Sequence, residues 1–213
     1  MTKLTIISVL LILLTGCKSA YYSAWEKMGV EKRDILVSRV ESAKTTQQDA
    51  QEEFNDALTR LSSLISFEGG DLQDTYAELK DKFESSQGSA ERVKAKIDSI
   101  ESVAEDLFDE WNEELANYSK ESLRRKSEEQ LKQTQRRYKR LLTSMRRAEK
   151  SMYPVLETLE DNVLFLKHNL NASAVGALQG EFDGIKQEIE VLIKEMNQSI
   201  AQSDEFIASL KQN

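Results

Sequence analysis

The 213-residue chain carries 29 basic and 37 acidic side chains, which gives a formal net charge of −8, and 39% of its residues are hydrophobic. With eight glycines and one proline, it is poorly suited to an all-β fold, whose many turns need more of both. The one cysteine excludes a disulfide scaffold within the chain. The hydrophobic fraction is too high for a disordered polymer and fits long amphipathic helices.

Residues 1–16 have the pattern of a lipoprotein signal peptide. Lys3 precedes an apolar run over 4–14, and this run is too short to cross a bilayer, which takes about 20 residues. The run ends in Leu-Thr-Gly-Cys, which resembles the bacterial lipobox. This resemblance implies cleavage before Cys17 and attachment of lipid to Cys17, so that the mature chain is anchored to a membrane. The alternative is a buried structural cysteine behind an ordinary signal peptide.

The residue after the lipidation position indicates to which membrane the mature chain is sorted. In Gram-negative lipoproteins, Asp at this position implies retention at the inner membrane, whereas this chain has Lys18. The resemblance therefore predicts a lipid-anchored protein of the cell envelope, on the periplasmic face of the outer membrane.

Four stretches beyond Cys17 repeat apolar residues at alternating spacings of three and four, which predicts long helices packed as in coiled coils. The positions predicted to face inward run from Leu36 to Leu64 in the first stretch and from Val175 to Leu210 in the fourth. The predicted helices cover about 22–67, 71–118, 120–170 and 174–211. Three polar residues interrupt these stretches and are expected to set register or to line an internal cavity: Gln47, Ser86 and Glu114. Pro154 lies within the third helix and should kink it or divide it in two.

Helix-stop residues coincide with the ends of these stretches. We expect Gly69 and Gly70 to end the first helix, Asp71 to cap the second, and Ser119 or Ser122 to cap the third. Asn169, Leu170 and Asn171, followed by Ser173, mark the last turn. Short links between helices of similar length predict an all-α, elongated, antiparallel four-helix bundle that forms a single domain over 17–213. The main alternative is a three-helix bundle with separate C-terminal helices.

Two blocks of opposite charge follow each other along the chain. Residues 98–114 hold eight carboxylates and no base, and 120–150 hold twelve bases against four carboxylates. A hairpin between them would lay 98–114 against about 125–141, and we expect the two blocks largely to neutralise each other. Alternatively, Arg124, Arg125 and Lys126 contact anionic lipid headgroups at the membrane end of the bundle. Nucleic acid is disfavoured as a partner because an exported acidic protein rarely meets it.

The sequence shows no residue set for catalysis. His168 is its one histidine, and as a turn-end residue it is expected to hydrogen-bond a helix carbonyl. A lone histidine and an acylated cysteine cannot form a nucleophilic triad, and no pattern of metal ligands or of phosphate-binding glycines is present. We therefore expect no enzymatic activity, no metal and no cofactor.

Several motifs in order, at 19–37, 67–72, 107–111 and 166–172, resemble a family of Gram-negative coiled-coil lipoproteins that is catalogued as a domain of unknown function. The resemblance covers nearly the whole mature chain and implies a helical envelope protein, and it carries no activity to transfer. Two of the motifs coincide with the predicted distal tip of the bundle. We hypothesise that this tip binds a partner, with turn formation as the alternative role of its residues: Phe67, Gly69, Gly70, His168, Asn169 and Asn171.

The leading interpretation is a lipid-anchored coiled-coil scaffold or adaptor without catalytic activity. Its expected partners are the membrane, through Cys17, and an envelope protein or the cell wall. The alternative is a carrier of lipid or of a small apolar ligand inside the bundle. Leftover apolar surface on the helices also leaves homo-oligomers open.

Overall fold

A computed structural model describes residues 31–66 and 72–211. These residues form four long helices, α1 (Lys32–Ile65), α2 (Leu72–Glu114), α3 (Glu121–His168) and α4 (Ala172–Lys211), with a short 3₁₀ turn over Leu115–Asn117. No β-strand occurs in the described ranges, and the predicted all-α class is confirmed. The predicted signal peptide, the lipidation position Cys17 and the tip residues Phe67, Gly69 and Gly70 lie outside the described residues.

The four helices pack in a closed ring. α1 and α3 each pack against both α2 and α4. Contacts between neighbours join the early part of one helix to the late part of the next, as in Lys44 with Asp204 and Arg60 with Glu78. The helices are therefore antiparallel to their neighbours, and the four-helix arrangement holds instead of the three-helix alternative. At 1.5 Å per residue, the 48 residues of α3 extend about 72 Å.

The core runs along the whole bundle and follows the spacing of the apolar residues. Every predicted inward position of α1 is buried, from Leu36 to Leu64. On α4 the predicted positions from Val175 to Leu210 are buried as well, apart from Phe182, which is partly buried. Complete burial of one leucine or phenylalanine side chain stabilises a fold by about 1.5–3 kcal/mol, so this continuous core dominates the stability of the bundle.

Polar residues inside this core make hydrogen bonds. Ser199 of α4 donates to Oε1 of Gln47 on α1 over 3.0 Å, and both residues are fully buried. Ser86 donates to the carbonyl of Lys82 over 2.8 Å. Nε2 of Gln47 has no partner within the described residues. Glu114 is exposed at the end of α2, so the prediction that it interrupts the buried surface is wrong there.

The buried pair gives a test of what holds the helices in register. Replacing Gln47 by Leu and Ser199 by Ala removes one buried hydrogen bond and one unpaired amide donor. Because an unpaired buried donor costs about 1–3 kcal/mol, we expect the double variant to raise the free energy of unfolding by about 1–2 kcal/mol. Urea denaturation followed by circular dichroism measures this change. Phe54→Ala is the control that must destabilise, by about 3–5 kcal/mol. A double variant less stable than the native chain would show that the pair is a net stabiliser.

The helix ends depart from the sequence-based expectation at two places. α2 ends at Glu114, and the extended residue Lys120 precedes α3 without a side-chain cap. The carbonyl of Lys120 accepts the amides of Leu123 and Arg124, which starts α3 there and leaves Ser122 inside its first turn. Capping by Ser119 or Ser122 is therefore wrong. By contrast, α4 begins two residues earlier than predicted because Asn171 caps it.

Pro154 lies in the interior of α3, which continues as one helix from Glu121 to His168. Division of the helix at this residue, one of two predicted outcomes, is therefore wrong, and the kink stays a prediction. The proline has no backbone N–H to donate to the carbonyl one turn earlier. Its own carbonyl accepts the hydroxyl of Thr158 at 3.1 Å, and that hydroxyl also lies 3.0 Å from Glu188 on α4. Packing against α2 and α4 holds α3 together across the interruption.

Candidate functional site

The topology gives the bundle two different ends. Lys32 pairs with Glu110 at 3.0 Å and Lys211 pairs with Glu41 at 3.0 Å, so the start of α1 lies beside the end of α2 and the end of α4. The turn between α3 and α4, residues 169–171, lies at the opposite end. We call this opposite end the tip.

Three of the predicted partner-binding residues lie at the tip: His168 is the last residue of α3, and Asn169 and Asn171 are in the turn. Asn169 donates from Nδ2 to the carbonyl of Phe165 over 3.0 Å, and Oδ1 of Asn171 accepts the amides of Ser173 and Ala174. These two side chains therefore make the turn, which was the alternative role. His168 is exposed and makes no hydrogen bond to a described residue, so its expected bond to a helix carbonyl is wrong. Asn169 makes that bond instead.

Two exposed apolar side chains lie beside this turn and were missed by the sequence analysis. Leu164 is 47% exposed and Phe165 is 40% exposed, although each is a large hydrophobic residue. Their neighbours Val163 and Leu166 are buried. The signal for them was the unbroken apolar run over 163–166, because four consecutive residues of a helix cannot all face one core.

The acidic and basic blocks make fewer contacts than expected. In 120–150, Arg146 alone forms ion pairs with α2, through Asp98 and Glu101. Trp111 donates to Ser127 over 2.8 Å, so 98–114 lies along about 127–146 and is offset from the predicted 125–141. Extensive pairing of the two blocks is therefore wrong. Many charges instead pair along their own helix, as Lys132 does with Glu128, and others face solvent.

Arg146 is the centre of the contact between α2 and α3. Its guanidinium also donates to Glu149, which is 8% exposed, over 2.8 Å. A hydrogen bond from Arg146, and to a smaller extent one from Lys94, lowers the pKa of Asp98 below its usual range. Folding therefore favours the ionised form of Asp98, and a carboxylate with a lowered pKa stabilises the fold above its unfolded pKa.

This shift predicts a measurable dependence on pH. As the pH falls below about 4, Asp98 takes up a proton more readily in the unfolded chain than in the folded one, so stability should fall. Asp98→Asn should remove part of that fall and leave a flatter profile between pH 5 and pH 2. Urea denaturation across this pH range measures it, and Asp109→Asn, at an exposed residue of the same helix, is the control. Equal profiles for the native chain and Asp98→Asn would contradict the assignment.

The cations proposed for contact with lipid headgroups lie in the first turn and a half of α3. Glu121 accepts hydrogen bonds from both Arg124 and Arg125, and these bonds lower the pKa of Glu121 to about 2. Lys126 is exposed and forms no ion pair with a described residue. Two of the three predicted cations are thus already paired with a carboxylate, and contact with headgroups stays a prediction.

The middle of α3 carries a larger set of free charge. Exposed cations recur along one side of the helix, and four of the five form no ion pair with a described residue: Arg136, Lys139, Arg140 and Lys150. The fifth, Arg147, is 60% exposed and lies 3.8 Å from Glu195 of α4. The composition of 120–150 indicated positive charge here, although composition does not distinguish paired from free cations.

Across 31–66 and 72–211, no group of three or more His, Cys, Asp and Glu side chains is arranged to hold a metal ion. Within the same ranges, no helix combines the length and the hydropathy needed to span a membrane.

The fold and these surfaces define a long antiparallel four-helix bundle with an apolar tip and a basic face. The chain belongs to the DUF2959 family, described as a protein of unknown function, whose sequence profile matches residues 21–210. That family match bears out the resemblance to a domain of unknown function. No curated protein matches the chain.

Proposed function

We propose that the chain is a lipid-anchored scaffold or adaptor without catalytic activity, which holds a partner at the tip of its bundle. The observation that carries this proposal is the exposed pair Leu164 and Phe165 beside the turn. Exposed neighbouring apolar side chains on an otherwise highly charged surface are typical of a protein contact. The partner is an envelope protein or the cell wall, and the anchor is Cys17 at the periplasmic face of the outer membrane.

The length of the bundle supports a spacer role. With the start of α1 near the membrane, the tip would lie about 70 Å away, since α3 alone has 48 residues. At that distance a short apolar patch reaches a partner that is not itself at the membrane surface. The proposal needs no chemistry at the tip, where no nucleophile or carboxylate among the described residues is hydrogen-bonded to His168.

The interior of the bundle gives less support to the alternative, a carrier with its ligand among the helices. Two of the polar residues expected to line such a cavity are packed and hydrogen-bonded, namely Gln47 to Ser199 and Ser86 to the backbone of α2. The third, Glu114, faces solvent. These hydrogen bonds therefore favour a role for Gln47 and Ser86 in setting the register of the helices.

The tip proposal predicts site-specific crosslinking in cells. A photoreactive residue at Leu164 or His168 should capture a reproducible partner, and the same residue at Glu91, exposed on α2 and far from the turn, should not. Combining the probe at His168 with Leu164→Ser and Phe165→Ser should reduce capture about tenfold, because the apolar contact is lost. Mass spectrometry identifies the captured species.

A matched control separates the tip from exposed apolar surface in general. Leu123 is about as exposed as Leu164, at 49%, and lies near the other end of α3, so Leu123→Ser should leave capture unchanged. Circular dichroism should show equal helicity for all variants. Equal capture at Glu91 and at the tip would argue against an adaptor that works through its tip.

The proposed anchor is tested separately. Cys17→Ser should abolish incorporation of labelled palmitate and move the protein from the membrane fraction to the soluble fraction, because a protein without acyl chains loses its bilayer contact. Leaving Cys17 intact and replacing Lys18 by Asp should keep the label and, by the lipoprotein pattern, shift the protein to the inner membrane. Unchanged fractionation of Cys17→Ser would contradict lipid anchoring at this residue.

A further inference from the structure

Three surface depressions follow one another along α3. The first lies between α3 and α4 and has a volume of about 720 Å³. The second shares Thr143 and Arg147 with the first, and the third shares Ser151 and Pro154 with the second. Their lining residues on α3 extend from Arg136 to Val155, about 28 Å at 1.5 Å per residue, and the second depression is lined by α3 alone. We call these three depressions together the α3–α4 track.

One half of the track is cationic. The first depression is lined by Arg136, Lys139, Arg140 and Arg147 and by no carboxylate. Three of these cations form no ion pair with a described residue, and the fourth is held only by the 3.8 Å contact of Arg147 with Glu195. Side chains of the same charge crowded along three turns repel one another. A bound group with two or more negative charges would relieve that repulsion.

The lining of this half also has the right donors for phosphate. Guanidinium groups present a planar fork that matches phosphate oxygens in two parallel hydrogen bonds, and three arginines line the depression. Gln198 and Gln202 on the α4 side and Thr143 on the α3 side add neutral polar groups. None of its described lining residues is aromatic, and single-stranded nucleic acids bind by stacking their bases on aromatic side chains.

The other half of the track is mainly apolar, although Ser151, Gln187 and Glu188 also line it. Pro154, Val155 and Val191 line the third depression, and Val191 is 53% exposed. Gly184 opens its α4 side, since a methyl group added there would meet no atom within 4 Å. None of its described lining residues is basic, and its one carboxylate, Glu188, lies 3.0 Å from the hydroxyl of Thr158.

We propose that the α3–α4 track binds a phosphorylated lipid, with its phosphate on Arg140 and Arg147 and its acyl chain along Pro154 and Val191. The two halves lie about two helical turns, or 11 Å, apart, a distance that one amphiphile spans. Charge complementarity selects the phosphate, and the adjoining apolar depression selects a lipid over free phosphate. The site lies on the side of the bundle, away from the tip, and does not depend on the function proposed above.

Native mass spectrometry of the full chain in a non-ionic detergent tests this proposal with three probes. Dihexanoylphosphatidic acid should bind with a stoichiometry of one, and dihexanoylphosphatidylcholine and inorganic phosphate should each bind at least about tenfold more weakly, since each lacks one of the two features. Arg140→Gln with Arg147→Gln should weaken binding of the phosphatidic acid about tenfold or more. Val191→Ser should weaken it about threefold and leave the binding of inorganic phosphate unchanged.

Matched variants distinguish this site from general charge attraction. Lys120→Gln with Lys167→Gln removes two exposed cations from the two ends of α3 and should change binding less than about twofold. An equal loss in this control would overturn the proposal, as would inorganic phosphate that binds as tightly as the lipid. Tighter binding of a single-stranded oligonucleotide, lost in the double arginine variant, would assign the track to nucleic acid instead. Absence of binding by all probes would also overturn it. Circular dichroism verifies equal helicity of the variants.

Discussion

Burial of one apolar surface from each of four antiparallel helices is the constraint on which the rest of this molecule depends. Because each helix packs on two neighbours, none can rotate about its axis without exposing part of the core. The fully buried pair of Gln47 and Ser199 adds a polar match that tolerates little sliding between α1 and α4. This packing positions everything else, including Leu164 beside the turn and the row of cations on α3.

Charge has a secondary and mostly local part in this fold. Arg146 forms ion pairs between α3 and α2, whereas Glu121 pairs with two arginines of its own helix. Exposed pairs of this kind each contribute about 0–1 kcal/mol, so the net charge of a block does not decide how helices align. Free cations therefore persist on α3 even though an acidic helix lies next to it. Because no carboxylate among the described residues neutralises these free cations, they remain able to attract anions from solution.

The sequence was most informative about the long helices, whose apolar residues repeat with the helical period. Positions from Leu36 to Leu64 were predicted and all are buried, because a long helix can bury one side only. Helix ends were predicted less well, since Lys120 starts α3 without the side-chain cap that serine would supply. The candidate surfaces depended on tertiary detail. Whether Arg140 is paired is decided by side-chain directions that residue order does not contain. The apolar run over 163–166 did signal that some of its residues are exposed, but not that Leu164 and Phe165 are the exposed ones.

The closed antiparallel ring also determines how the bundle would respond to force. Because the start of α1 and the turn after α3 lie at opposite ends, tension between them acts parallel to the helix axes. Sliding a helix lengthwise must break many core contacts at once, whereas peeling it sideways breaks them one after another. Tension applied in this way therefore loads the core in shear. A bundle of this topology is built to transmit a pull along its length with little extension.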